Sequence, residues 1–95
     1  MQYLPANEEP VVGLTVVGAT NPVLNGTYTD VGDYGGKTLY KLSTGDYWLL
    51  WNSGLEMWQF HDTPEVGINP LFARADVNPI GAYTEINGTG NVVVS

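Results

Sequence analysis

The sequence predicts an all-β domain: a small antiparallel β-sandwich or barrel of about seven or eight short strands behind an extended N-terminal arm. Three observations carry this. Runs rich in Val, Leu, Tyr, Trp and Thr are cut roughly every eight to twelve residues by Gly, Asn, Asp or Pro, the rhythm of strands joined by tight turns. No window of about eleven residues or more sustains apolar positions at i, i+3, i+4 and i+7 without a Gly or Pro inside it, so helix is not expected. Asn25-Gly26, Gly35-Gly36, Gly45-Asp46 and Asn87-Gly88 fall between the runs and tolerate the positive φ that reversing strands demand.

The elements follow in order. Residues 1–10 hold Pro5, Pro10, Glu8 and Glu9 with little to bury, and read as an extended arm before a single domain over 11–95. Strands are expected at 11–17, 26–31, 37–42, 46–51, 57–61, 71–76, 81–86 and 91–94. NSGLE, between Trp51 and Met57, has the length of a hairpin loop with Gly54 as its flexible residue, so 37–61 should form an antiparallel meander. DTPEVGINP, residues 62–70, carries two prolines and a glycine and reads as a longer surface connection. The last strand, in NVVVS, is uncharged and β-branched, an edge that must be covered or will pair with another chain.

Alternation decides which rings are inside. It sends Tyr47, Leu49 and Trp51 to one face of the fourth strand and Trp48 and Leu50 to the other. In MWQFH, Trp58 and Phe60 share a face opposite Met57, Gln59 and His61, and in TLYKL, Thr38, Tyr40 and Leu42 lie opposite Leu39 and Lys41. Each buried aromatic removes about 150–250 Å² from water, several kcal/mol at about 25 cal/mol per Å². A 95-residue chain with no cysteine, and hence no disulfide or thiolate metal site, cannot leave all three indoles outside. The expected core therefore joins Trp51 or Trp48 to Trp58 and Phe60, and leaves one ring of the fourth strand for a second contact.

Charge removes other classes of partner. Ten acids against Lys37, Lys41 and Arg74 give a net charge of −7, which repels a phosphate backbone, so nucleic acid and anionic membrane are not expected partners. The longest apolar run, YWLLW, is too short to span a bilayer, and MQYLPANEEP has neither the basic start nor the apolar stretch of a signal peptide.

Gly18-Ala19, then Asn25-Gly26-Thr27-Tyr28, Gly35-Gly36-Lys37, Leu39-Tyr40, the aromatic strand Tyr47 to Trp51, and Trp58-Gln59-Phe60 together cover about half the chain. In this order they resemble a short aromatic and Gly-rich β module of phage-encoded and bacterial surface or tail proteins. The resemblance implies binding or assembly and brings no catalytic residue with it. FARADVNPIGAYTEINGTGNVVVS has no counterpart in that pattern.

Chemistry-bearing combinations are sparse. His61, the single histidine, is followed by Asp62, but neighbours on a strand point to opposite faces, and Ser43 and Ser53 sit in turns without a nucleophile motif. Asp33, Asp46, Glu56 and Asp62 flank the aromatic meander without a spacing that fixes a catalytic pair. Asp30-Val31-Gly32-Asp33 lacks the further acids of a calcium loop, and the two Asn-Gly-Thr triplets read as turns. No catalytic residue, metal or cofactor is expected.

The reading is a non-enzymatic structural module, a phage virion component serving as capsid decoration or tail-associated protein, made in the host cytoplasm. It would contact other virion subunits or copies of itself through Trp48, Leu50, Tyr3, Leu4 and Val93. The alternative is a carbohydrate-binding module for a cell-surface glycan, with Tyr34, Tyr47 and Trp48 stacking on sugar faces and Asp33, Asp46 and Asn52 bonding hydroxyls. A small acidic inhibitor mimicking nucleic acid is a further alternative, weakened because the acids are scattered.

Overall fold

A computed structural model of the chain describes residues 13–95; the expected arm, with Tyr3 and Leu4, lies outside the described residues. The strands are β1 (Gly13–Asn21), β2 (Gly26–Tyr34), β3 (Lys37–Leu42), β4 (Trp48–Asn52), β5 (Met57–His61), β6 (Phe72–Arg74), β7 (Gly81–Ala82), β8 (Thr84–Glu85) and β9 (Thr89–Val94). All belong to one nine-stranded sheet of order β7-β9-β1-β2-β3-β4-β5-β6-β8. Every recorded pairing is antiparallel. The fold is all-β, as expected, and the β3–β4–β5 meander runs in register from Tyr40↔Leu49 through Trp48↔His61 to Asn52↔Met57.

The sheet is nearly closed into a barrel, and the residues around Tyr83 close it. The expected single strand over 81–86 is split at Tyr83 into β7, which pairs with β9, and β8, which pairs with β6. One short stretch thus serves both ends of the sheet. Tyr83 donates its N–H to Val92 and its hydroxyl to the Pro79 carbonyl at 2.7 Å, and its ring lies 5.2 Å from that of Phe60. Beyond it, the N–H groups of Ile86, Asn87 and Gly88 all point at the Leu71 carbonyl. The terminal strand is consequently no edge: β9 is paired on both sides, to β1 and β7. Barrel closure, which no local pattern announces, is the physical reason.

Alternation places the core as expected. Leu49 and Trp51 of β4, Trp58 and Phe60 of β5, and Leu42 of β3 face inward with Leu14, Val16, Tyr28, Phe72, Val92 and Val94. Trp51 and Trp58 meet edge-on at 5.6 Å, and Phe60 stands edge-on to both Tyr28 and Phe72 at 5.5 and 6.2 Å, the geometry favoured by ring quadrupoles. Buried polar tips find partners: the Trp58 indole N–H donates to Val77 at 2.9 Å and the Tyr28 hydroxyl to Leu24 at 2.6 Å.

Turn chemistry is met in part. Gly35 and Gly36 have φ of 65° and 90°, the signature of a type I′ hairpin between Tyr34 and Lys37. Asn25-Gly26 does something else: the Asn25 amide accepts from the Ala19 N–H at 2.8 Å and donates to the Ala19 carbonyl at 2.9 Å, so a side chain takes the place of a paired strand. In the β4–β5 loop Glu56, at φ 56°, takes the left-handed position, where Gly54 was expected to supply it.

Candidate functional site

The outward faces are the candidate surfaces, and they divide in two. The first covers β1, β9 and β7. Val17 pairs with Val93, and Val93 with Ala82, so three apolar side chains form one row across three strands. Val17 is 54% and Val93 42% exposed. Thr15 pairs with Thr27 in the neighbouring row. No charged side chain belongs to either row. Val93, expected as a contact residue, is on this surface; Val17 and Ala82 join it through cross-strand registers that cannot be read from a single strand.

The second outward face belongs to β2 through β6. Here alternation sends out Tyr34, Leu39, Lys41, Trp48, Leu50, Asn52, Gln59, His61 and Ala73, yet Leu50 is fully buried and Gln59, His61 and Ala73 nearly so. The connection 62–70 folds back across this face as a strap. The Val66 N–H donates to the Tyr34 hydroxyl at 3.1 Å, and Gly67 stands over His61, where a Cβ would lie 3.7 Å from Nδ1. Leu50 was expected on a contact surface with Trp48; instead it is sealed, because a segment read as a plain surface loop packs against the sheet.

Beneath the strap a small polar network is buried. Gln59 Oε1 accepts from Asn52 Nδ2 at 3.3 Å and from His61 Nε2 at 2.9 Å. His61 therefore carries its proton on Nε2 and leaves Nδ1 as a bare acceptor. Burial pushes its pKa below the ordinary 6.5, against a smaller opposing pull from Asp62. With Nε2 spent on Gln59, this ring is tied to an amide and not to a serine.

Trp48 is half-buried, with the Lys41 ammonium 5.4 Å above its ring. Lys41 also donates to the Gly45 carbonyl at 2.8 Å and lies 3.8 Å from Asp46. The expected sugar-binding residues fall into two groups. Asp46, Tyr47 and Trp48 cluster around the β3–β4 turn, with Tyr47 packed toward the core and Trp48 outward, so the two rings do not form a shared plane. Asp33, Tyr34 and Asn52 lie at the opposite end of these strands, beside the Gly35-Gly36 turn and the β4–β5 loop. Leu50 and the strap lie between the groups.

The acids show no joint site among the described residues. Asp30 spends a carboxylate oxygen on the Gly32 N–H at 2.9 Å, bracing a bulge that turns Val31 outward. Among the described residues no three His, Asp or Glu side chains are grouped as metal ligands. No helix among them is long and apolar enough to cross a membrane. Compared with family models, with curated proteins and with solved structures, the chain finds no match.

Proposed function

We propose that this chain is a non-enzymatic structural module that works by protein–protein contact, as a capsid-decoration or tail-associated component of a phage particle. The observation that carries the reading is the Val17–Val93–Ala82 row: exposed, apolar and free of charge on a chain of net charge −7. Copies of an acidic protein repel one another across most of their surface, and this face is where that repulsion costs least. A second copy of the chain is accordingly the first partner, and an array of copies multiplies a weak contact into a stable one. The resemblance of the first half of the chain to surface and tail modules supports the phage setting.

Light scattering from dilute to concentrated protein tests this. Self-association is expected, and V17D/V93D should weaken it by at least about tenfold by placing two carboxylates in the contact. A wild-type protein that stays monomeric while a glycan panel quenches its tryptophan fluorescence would replace this reading with the carbohydrate-binding one.

A further inference from the structure

The strap over β4 and β5 has features that an ordinary loop lacks. It covers an outward-facing leucine that is fully buried and a histidine that is 2% exposed. A hydroxyl tether, Val66 to Tyr34, fastens it. The ring below has one nitrogen satisfied, Nε2 on Gln59, while Nδ1 faces Gly67 and has no hydrogen-bond partner among the described residues. A second proton on that ring would place a cation and a new N–H donor under the strap with no acceptor bonded to it among the described residues.

We propose that the 62–70 strap is an acid-released latch, closed while the ring of His61 is neutral and let go when Nδ1 takes up a proton.

The surroundings do little to stabilise the cation. Among the described residues Asp62, next in the chain, is the one charge with an appreciable pull on the ring, and it is the smaller influence beside burial. Glu65 on the strap is exposed. Lys41 of β3, on the far side of Trp48, is itself positive and already engaged by Gly45 and Asp46. β4 contributes Trp48, Leu50 and Asn52 to this face, β2 Tyr34 and β6 Ala73; the Asn52 amide oxygen already accepts from the Leu55 N–H and the Tyr34 hydroxyl from the Val66 N–H, and the other three offer no side-chain acceptor. Lifting the strap lets water solvate the imidazolium, which is what drives the release.

The sign follows. The closed form binds the proton less readily than the open form, whose ring titrates near the ordinary 6.5. Closure is therefore fully favoured above that pH and weakens as pH falls below it, by at most about tenfold per pH unit for a single proton. Opening uncovers Leu50 between Trp48 and Asn52 and turns a sealed face into an accessible one.

Amide hydrogen exchange by NMR on the full chain, corrected for intrinsic rates, reads this directly. The Val66 amide, held by Tyr34, should keep a constant protection factor above about pH 6.5 and lose up to about tenfold per unit below it. The Leu42 amide, bonded to Tyr47 in the β3–β4 turn, should hold its protection throughout. H61M should leave Val66 equally protected at every pH, and Y34F should lower its protection at every pH while preserving the slope. Because His61 is the only histidine, its ring resonances report one titration, whose midpoint must coincide with that of the Val66 amide shift even if H61M does not fold. Differing midpoints, a pH-independent Val66, or simultaneous loss at Val66 and Leu42 would each overturn the latch.

Discussion

Single residues in this protein are constrained most sharply where backbone presses on backbone. Gly18, at φ 95°, lies so close to the bulged β9 strand that a Cβ would sit 1.9 Å from the Asn91 carbonyl oxygen. Gly36, at φ 90°, has a similar backbone and nothing within 4 Å. The two positions separate torsional strain from steric exclusion. G36A should cost about 1–2 kcal/mol, the penalty of a left-handed L-residue. G18A should cost clearly more than this, because neither carbonyl nor strand can retreat without breaking the β1–β9 ladder. Urea denaturation of the pair checks the difference, and equal costs would mean the bulge yields freely. The bulge also explains a side-chain count the alternation rule misses: Val16 and Ala19 both face the core, three positions apart.

Among the elements, those whose shape is fixed by neighbouring residues were legible. The β2–β3 hairpin was readable from Gly35-Gly36, and the inward set Leu49, Trp51, Trp58 and Phe60 from simple alternation, since both depend on contacts a few residues apart. The strap was readable as a connection but not as a cover. Nothing in DTPEVGINP says that its middle reaches Tyr34, which is distant in sequence and brought near by the curvature of three intervening strands. That blind spot is why Leu50 looked available. The β4–β5 loop shows a third case, where glycine was present but another residue took the strain. Glu56 occupies left-handed space at φ 56° and is exposed. E56G or E56N should stabilise the protein by about 0.5–1 kcal/mol, visible as a rise in Tm, because the side chain has no packing to lose and the torsional penalty is relieved. No change in Tm would show that the unfolded chain's extra freedom cancels the gain.

At the scale of the whole molecule, stability depends on a seam of two-residue strands, β7 and β8, meeting at Tyr83. Without β7 and β8 the remaining seven strands would present β6 and β9 as bare edges, and β9 carries the uncharged run Val92, Val93, Val94. Tyr83 prevents this by packing on Phe60 while its backbone bonds β9. Y83A removes the ring from the core and should cost about 3–5 kcal/mol, a large share of the about 5–15 kcal/mol typical of a domain. It should also add edge-paired aggregates, larger than any assembly of the wild type, detectable by size-exclusion chromatography. Y83F keeps the ring and loses only the bond to Pro79, for about 0.5–1.5 kcal/mol, and should stay unaggregated. The hydroxyl has a separate signature in alkali. Burial, opposed by Arg74 and aided by Tyr40, raises the Tyr83 pKa well above the ordinary 10.0, and burial does the same to Tyr28. A phenol whose folded pKa exceeds its unfolded value adds nothing to the pH dependence below pH 10.0, and stability falls as pH climbs past that value because the unfolded chain ionises first. Wild type should therefore lose stability steeply in this range, and Y83F should lose it less steeply, with Tyr28 supplying the remainder. Identical alkaline slopes in the two proteins would mean that Tyr83 meets water readily and that the seam is open far more often than its packing implies.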